Sequence, residues 1–433
     1  MESYWSYLAR LVDMRLLRAQ RRLMNSSGCV ICGSGDVITL NQLELIHQAY
    51  LISDIEKIGV LTSSVNSQWL FDSIQLMLSG DGSLAAFHKS AKHDALLSGV
   101  CRYVQKNDAL MFRLEVLSLC EPDIFKRSMF CAWISLVLFD YMARDEGDIF
   151  TMFEVAIAHD VGMLELPLEA VEAVDGSQVS HDFSFYQHAQ FGADFIRNTG
   201  KSSVQVYQAI CQHHETIDGS GFPHGLCGVR LNEFGQIVNM FDSLYVIYTT
   251  KFKPVGRAIA DLAPIVEMNS VTRFGYAAKQ LVELLKTGER TRHFFVDADQ
   301  VAKRVKAMRS LFLYVDHANT IIQQFTNEVG FRHEEKGLSA LQNGFFHIAL
   351  TIHKSPYINE AFVSSMASSN MTKQTEHYDE IEDATLMLNE VVFHILAFKK
   401  QLSAYALVCK NSRVQAIASE TLQRLEVNLL ENV

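Results

Sequence analysis

Histidines and aspartates recur in the middle of this 433-residue chain at spacings that suit metal binding. The densest group is His213-His214-Glu215-Thr216-Ile217-Asp218-Gly219-Ser220-Gly221-Phe222-Pro223. Two adjacent imidazoles can face a metal cluster, while the glycines that follow let a substrate approach the backbone. Upstream, His159-Asp160-Val161-Gly162 ends the apolar segment Phe153–Ala158, which predicts a buried helix end. A carboxylate there can bridge two metal ions, and the adjacent imidazole can complete one of the sites.

Two further polar residues on apolar segments complete this set. His188 precedes Phe191 and Phe195, which mark the core side of a helix, and Asp242 follows the apolar run Ile237–Phe241. Taken singly, a His or Asp on an apolar face is usually a hydrogen-bonded core residue. As an ordered set, these residues instead predict convergence on metal. The predicted ligands are His159, Asp160, His188, His213, His214 and Asp242.

Six ligands exceed what one tetrahedral ion needs. Nitrogen-rich ligands with a bridging carboxylate suit iron or manganese better than calcium. We therefore expect two divalent ions of this kind, or a single ion if one of the two sites has lost a ligand.

The order of these residues resembles that of the HD-GYP family, a branch of the HD phosphohydrolases. The resemblance covers residues 120–286 and rests on the HD pair, a lone His, the HHExxDGxGxP segment and a final Asp. It implies a helical bundle in which a metal-bound water hydrolyses a phosphodiester of cyclic di-GMP or a related cyclic dinucleotide. Asp160 would then be the bridging and catalytic carboxylate.

The resemblance also implies a set of substrate contacts. The GYP triplet of the family here reads Gly221-Phe222-Pro223, which keeps the ring and loses only a hydroxyl. Lys251 falls where the family has a basic residue on the phosphate, and Lys253 lies beside it; without the resemblance both would be taken for surface lysines. We expect the two to form a basic patch beside the metal ligands. The predicted substrate-binding residues are Gly219, Gly221, Phe222, Pro223, Lys251 and Lys253.

Two positions depart from the family pattern. Arg127 stands where the family places a His ligand, and Met163 stands where it places a Lys that is aimed at the substrate phosphate. Arg stays protonated and cannot ligate a metal. We expect its guanidinium to pair with Asp160 or Asp242 and to occupy the first metal site, while the second stays intact. Asp123, four residues earlier on the same helical face, offers an extra carboxylate and is a second catalytic candidate.

The sequence leaves more than one function open. The remaining ligands could hold enough metal for phosphodiester hydrolysis. Alternatively, the domain has lost turnover and acts as a cyclic-dinucleotide sensor or a scaffold for signalling proteins. A third alternative is an HD phosphohydrolase for another nucleotide.

Composition indicates an acidic, globular and mainly helical protein. The chain is 48% hydrophobic and 20% charged, and it contains only 6 Pro and 23 Gly, which favours long helices and a packed core. Its net charge of −11 argues against binding to a nucleic-acid polymer. The longest apolar run, Met129–Phe139, is shorter than the ~20 residues that cross a bilayer, and no leader pattern is present. We expect a cytoplasmic protein with reduced thiols, in which the single CxxC pair, Cys29 and Cys32, lacks partners for a zinc site.

Three regions are predicted along the chain. Residues 1–120 form a mostly helical region with a basic amphipathic start and a small hairpin near residues 29–39, residues 121–286 form the phosphohydrolase domain, which begins at Pro122, and residues 287–433 form a C-terminal helical region. The basic amphipathic start could lie on an anionic membrane or dock on the protein. Residues 381–409 carry a heptad stripe of apolar residues. Such a stripe could form a coiled-coil homodimer or pack in a bundle of the same chain.

Overall fold

The computed structural model describes residues 2–49, 65–88, 91–167, 185–217, 221–226, 228–270, 275–290, 298–330, 336–369 and 377–426. Helices dominate these residues, so the predicted mainly α fold class is confirmed. The chain forms two compact units. The first contains residues 1–215 and 221–259, and the second contains residues 216–220 and 260–433.

The first unit is built from helices, of which Pro122–Tyr141 is the longest among the described residues. Its helices are α1 (Glu2–Asp13), α2 (Leu40–Ala49), α3 (Ser67–Ser79), α4 (Gly82–Phe87), α5 (Ala91–Val104), α6 (Asp108–Cys120), α7 (Pro122–Tyr141), α8 (Glu146–Ala158), α9 (His188–Thr199), α10 (Val204–Cys211) and α11 (Glu233–Ile247). Helix α7 begins at Pro122, as predicted, because the missing donor of proline costs nothing in the first turn. From Met129 to Phe139 it is buried on every side, which confirms that this apolar run is a core helix.

A small antiparallel hairpin follows α1, but it lies earlier than predicted. Strands β1 (Leu23–Met24) and β2 (Val30–Cys32) pair across the turn between them. The Gly-rich turn at residues 33–36 does not join two strands. It folds back on Ala19 instead, whose backbone N–H donates to the carbonyl of Asp36 at 3.0 Å.

The first helix packs against its own unit. The apolar face of α1 is at most 1% exposed at Tyr4, Tyr7, Leu8 and Leu11. The guanidinium of Arg113, on α6, lies 4.2 Å from the Tyr4 ring centroid. Of the two interpretations of this basic amphipathic segment, the structure shows the docked one.

The second unit is a helical bundle built around two long helices. Its helices are α12 (Ala263–Asn269), α13 (Gly275–Lys286), α14 (Ala298–Val329), α15 (Lys336–Lys354), α16 (Glu360–Ser368), α17 (Tyr378–Val408) and α18 (Ser412–Leu425). The predicted heptad stripe lies on α17, and its members from Ile381 to Tyr405 are buried in the core of this unit. The stripe is therefore covered by helices of the same chain, which is the bundle alternative. Among the described helices, α17 alone is long and apolar enough, by length and composition, to cross a membrane.

The packing of α17 predicts a stability effect rather than a change in assembly. Leu388 is fully buried, so Leu388→Lys should lower the free energy of unfolding by about 3 kcal/mol or more, since it buries an unpaired charge. Leu407, on the same helix, is 84% exposed, and Leu407→Lys should change it by less than about 0.5 kcal/mol. Urea unfolding and size-exclusion chromatography of both variants measure this. A folded Leu388→Lys protein of half the native mass would show that the stripe instead joins two chains.

Candidate metal centre

The six predicted ligands come together in the first unit, at helix ends and on one buried helix face. They occupy the C-terminal end of α8, the start of the 3₁₀ turn Val161–Glu165, the first residue of α9, the loop after α10 and the inner face of α11. His214 is half-buried. The other five are buried: His159, Asp160, His188, His213 and Asp242.

Three of the histidines are oriented by the same local hydrogen bond. The Nδ1–H groups of His159, His188 and His213 each donate to the carbonyl three residues earlier, at 2.8, 2.6 and 2.6 Å respectively. A proton fixed at Nδ1 leaves the Nε2 lone pair for a ligand. The backbone at three helix ends thus sets both the tautomer and the ring orientation of these residues.

Four ligand atoms form a first group around Asp160. Its Oδ1 lies 3.5 Å from His188 Nε2 and 3.7 Å from His213 Nε2. His188 Nε2 in turn lies 3.2 Å from His213 Nε2 and 3.1 Å from His214 Nε2. Burial lowers the pKa of His188 to about 4 and that of His214 well below its usual value. Imidazole nitrogens that approach one another this closely fit a divalent cation held between them. We call these four residues the histidine group.

Arg127 occupies the other side of Asp160. Its Nε and Nη2 groups donate to the two carboxylate oxygens of Asp242, and Nε lies 3.9 Å from Asp160 Oδ2. His159 Nε2 lies 3.2 Å from Asp160 Oδ2 and 3.9 Å from Asp242 Oδ1. The expected pairing of Arg127 with the carboxylates is therefore present in the structure, and Asp242 is its bidentate partner.

The charges on the Arg127 side of the centre balance without a metal ion. Burial alone would raise the pKa of both carboxyl groups, but the positive charges beside them hold the pKa values of Asp160 and Asp242 well below the ordinary range. Burial opposes protonation of His159, and the neighbouring carboxylates outweigh it and raise its pKa to about 10. Two negative charges thus face a guanidinium and an imidazolium.

The potential metal-ligand atoms of Asp160 and His159 nevertheless lack hydrogen-bond partners. Both carboxylate oxygens of Asp160 and Nε2 of His159 are buried and have no partner with hydrogen-bond geometry. Buried polar atoms left this way cost free energy unless a cation or water engages them. Asp160 and His159, with these unpartnered atoms, therefore fit the role of metal ligands better than that of hydrogen-bonded core residues.

Cys131 is a member of the centre that sequence reasoning missed. Its Sγ, a ligand atom of His159 and one of Asp242 all lie within 4.8 Å of one another. In the sequence it stands alone among the apolar residues of the run Met129–Phe139. Its one available signal was its position four residues after Arg127, on the same face of α7.

Glu215 was also passed over as a functional residue, and it shapes the loop after the two histidines. It is fully buried, and its carboxylate accepts hydrogen bonds from the backbone N–H groups of His224 and Leu226, at 2.6 and 2.7 Å. The side-chain amide of Asn239 donates to the His213 carbonyl at 2.7 Å. The Glu215 contacts join the two ends of this loop, and the Asn239 contact holds the loop against α11.

Asp123 lies outside the centre, contrary to the expectation of an extra ligand. Its side chain is 92% exposed and pairs with Lys126 at 3.3 Å. The residue lies in the first turn of α7, which projects towards solvent, one turn before the buried part of the helix begins. The shared helical face with Arg127 therefore does not bring its carboxylate to the ligands.

The predicted basic patch is not formed by Lys253. This side chain points to Asp81, with 2.9 Å between Nζ and Oδ2, and Tyr248 donates to the same carboxylate. Lys251 is exposed on the π-helical turn Tyr248–Phe252 that continues α11. Local positive charge at the centre comes from Arg127 instead.

The aromatic residue of the triplet Gly221-Phe222-Pro223 covers the histidine group. The ring of Phe222 stacks on His214, with 4.5 Å between centroids and 26° between planes. Met163 is 2% exposed and packs with Leu166 and Phe185 in an apolar cluster that Phe222 adjoins. The position where the family has a phosphate-directed Lys thus belongs to an apolar wall here.

The rest of the triplet adds little to this wall. Gly221 and Pro223 are half-buried beside the ring of Phe222. Gly219 lies outside the described residues.

Known proteins match the part of the chain that contains the candidate metal centre. Residues 115–274 match the HD domain family. Over 92 residues the chain is 26% identical to a cyclic di-GMP phosphodiesterase of Pseudomonas aeruginosa. This match covers 20% of this chain and 22% of that protein. Over 108 residues it is 28% identical to the 3'3'-cGAMP-specific phosphodiesterase 2 of Vibrio cholerae. This match covers 24% of this chain and 20% of that protein. These matches confirm the resemblance drawn from the ordered His and Asp residues, while the chain spans about a fifth of the length of either relative.

A solved structure also resembles the chain. It is an HDG"Y"P protein from Bdellovibrio bacteriovorus, 17% identical, with a TM-score of 0.32 over 63% of this chain and 97% of that chain.

Gly162 gives a direct test of how the centre is positioned. A Cβ at this position would lie 2.0 Å from the His188 carbonyl oxygen and 2.5 Å from the Gly192 nitrogen, so the backbone must move. We expect Gly162→Ala to lower the free energy of unfolding by roughly 1–3 kcal/mol and to weaken metal binding. Gly99→Ala is the matched control, because its Cβ would meet only Phe150 at an ordinary 3.6 Å. Urea unfolding and metal titration report the two effects, and equal behaviour of both variants would contradict this account.

Arg127 gives a second test, in which metal and guanidinium should substitute for one another. Arg127→Ala leaves Asp160 and Asp242 without their partner, and in chelator it should lose about 3–5 kcal/mol of stability. Added Mn²⁺ should restore much of that loss. Lys126→Ala is the control, because this exposed neighbour pairs only with Asp123 and should change stability by less than about 0.5 kcal/mol. Thermal unfolding with and without Mn²⁺ measures both, and a loss in Arg127→Ala that metal does not reduce would disprove the exchange.

Proposed function

We propose that the HD domain in residues 115–274 binds a cyclic dinucleotide at one metal ion and serves as a sensor whose hydrolytic activity is impaired. The observation that supports this most directly is the bidentate contact of Arg127 with Asp242, beside Asp160. That contact places a fixed positive charge where a second ion would share Asp160.

The histidine group supplies the metal position of this proposal. His188, His213, His214 and Asp160 present three nitrogens and one oxygen within 4.8 Å of one another. Iron or manganese suits this set. When bound, such an ion would act as a Lewis acid towards a phosphate oxygen.

The side chains around that position have separate tasks. The Asp160 carboxylate lies between the histidine group and Arg127, so it faces positive charge on both sides when an ion is bound. The Nδ1 hydrogen bonds keep the imidazoles facing inward. Phe222 shields His214 from water. Arg127, with 18% of its side chain exposed, places positive charge beside the ion for an anionic ligand.

Impaired hydrolysis follows from the chemistry of Arg127. Paired cations generate the nucleophile and stabilise both the attacking and the leaving oxygen. A guanidinium can stabilise negative charge, but it stays protonated and cannot activate water as a metal does. The domain therefore keeps the means to bind a phosphodiester and lacks part of the means to cleave it.

Two facts support a cyclic dinucleotide as the ligand. The two phosphodiesterases with matching segments are named for cyclic di-GMP and 3'3'-cGAMP. A chain with a net charge of −11 must concentrate positive charge locally to hold such an anion, and an ion in the histidine group beside Arg127 would supply that charge. In this proposal the protein works in the cytoplasm and passes its state to signalling partners.

Phosphodiester hydrolysis is the second candidate function. The complete histidine group favours it, because one ion and the buried carboxylate of Asp160 could still direct a water to the phosphate. Turnover would then be slow and limited by the missing second ion.

A metal count with binding and hydrolysis assays tests the proposal. Metal-loaded protein should contain one ion per chain, bind cyclic di-GMP in calorimetry and hydrolyse it slowly. Arg127→His should admit a second ion and raise the hydrolysis rate by roughly a hundredfold, since it restores a cation at the reacting phosphate. His213→Ala should lose both the ion and the ligand. Two ions and rapid hydrolysis in the unmodified protein would refute the sensor and establish the enzyme.

Met163→Lys should not improve turnover, although the family pattern predicts that it would. The side chain would enter the apolar wall formed with Leu166 and Phe185, where a charge has no partner. The same hydrolysis assay, together with thermal unfolding, checks this.

A further inference from the structure

We propose that Cys131 is a metal ligand, and that with His159 and Asp242 it forms a second position for a thiophilic divalent ion such as zinc. In this position, which we call the thiolate position, the ion replaces the contact between Arg127 and Asp242. The inference rests on the metal-binding part of the proposed function and does not depend on the nature of the nucleotide.

Geometry is the first support for the thiolate position. The ligand atoms of Cys131, His159 and Asp242 lie within 4.8 Å of one another, and all three residues are buried. Ligands that share one tetrahedral zinc, at 2.0–2.3 Å each, lie roughly 3.3–3.8 Å apart. His159 Nε2 lies 3.9 Å from Asp242 Oδ1, which is close to that spacing.

An unsatisfied ligand atom is the second and independent support. Nε2 of His159 is buried without a hydrogen-bond partner, and His159 is already fixed through Nδ1. A buried thiol alone would be treated as a small apolar side chain. Here it lies beside an imidazole nitrogen and a carboxylate, which together with a thiolate are the ligand types that bind zinc.

The other buried cysteines of the first unit show the contrast. Among the residues that the structure describes, Cys32, Cys101 and Cys120 belong to no group of three potential metal ligands. Cys131 differs from them by its neighbours and not by its burial. It also lies one helical turn from Arg127, the residue that fills the place of a missing ligand.

Exchange between Arg127 and metal is sterically simple. Arg127 lies on the solvent side of the centre, with 18% of its side chain exposed, so it can release Asp242 and extend outward. A divalent ion carries twice its charge and can engage Cys131, His159 and Asp242 together. As the ion binds, the thiol proton of Cys131 and the Nε2 proton of the His159 imidazolium leave to solvent, and no oxidant or reductant is needed.

The ligand types assign different ions to the two positions. A thiolate selects zinc and other thiophilic ions, whereas imidazoles with a carboxylate also suit manganese and iron. The thiolate position would therefore respond to zinc while the histidine group holds its own ion. A domain of this kind can report on two chemical signals, a nucleotide and a thiophilic metal.

Cobalt(II) is the probe, because thiolate ligation gives a charge-transfer absorption that nitrogen and oxygen ligands do not. The full chain is used with Cys29→Ser and Cys32→Ser, since that CxxC pair could bind cobalt itself. Metal-stripped protein titrated with Co²⁺ should develop the thiolate band. Cys131→Ser should abolish the band, and Cys101→Ser, the buried control, should retain it.

Two further variants make the result decisive. Arg127→Ala should shift the titration so that the band appears at a Co²⁺ concentration on the order of tenfold lower, since the competing charge is gone. His213→Ala should keep the band although it loses the ion of the histidine group, which separates failure of this inference from failure of the proposed function. Circular dichroism verifies that each variant is folded. Saturation with Co²⁺ without a thiolate band, in the parent and in Arg127→Ala, overturns the proposal, as does a band that survives in Cys131→Ser.

Discussion

Two buried carboxylates that must be balanced by positive charge determine the organisation of this centre. Asp160 and Asp242 are at most 5% exposed, and an unpaired charge in such a place would cost several kcal/mol. Arg127 and protonated His159 supply the balance in this structure, and metal ions would supply it in their place. Stability and the proposed binding of metal thus depend on the same few contacts.

The fold meets this requirement through helix ends. Each of three histidines is oriented by a carbonyl one turn earlier in its own segment, so the direction of the ring is fixed by local backbone geometry. Gly162 then lets the turn after Asp160 approach α9 closely enough for His188 to reach the carboxylate. Local geometry sets the ring angles, and close packing of the segments sets the distances.

Arg127 changes what this arrangement can do without disturbing how it folds. Its guanidinium provides the charge of an ion and none of its open coordination. In the proposed function, a domain that keeps the histidine group and lacks the paired ion binds a phosphodiester and cleaves it slowly. In the further proposal, Cys131, one turn further along α7, lets a thiophilic ion take the place of the Arg127 guanidinium.

The sequence alone determined the main elements and which residues are candidate ligands. The small number of Pro and Gly indicated the helical class, Pro122 marked the start of α7, and the apolar run from Met129 identified a core helix, because these features are local. The order of the His and Asp residues was enough to predict six candidate ligands, which the fold brings together, and a resemblance that the match to the HD domain family over residues 115–274 confirms. A motif can do this because its chemistry requires particular side chains in a particular order.

Only the tertiary structure decided which side chains meet. It chose Asp242 as the bidentate partner of Arg127, brought Cys131 to the centre, left Asp123 in solvent and directed Lys253 to Asp81. It also covered the heptad stripe of α17 with helices of the same chain. Periodicity shows which face of a helix is apolar or charged, but the partner of that face comes from segments distant in sequence, and packing in three dimensions selects it.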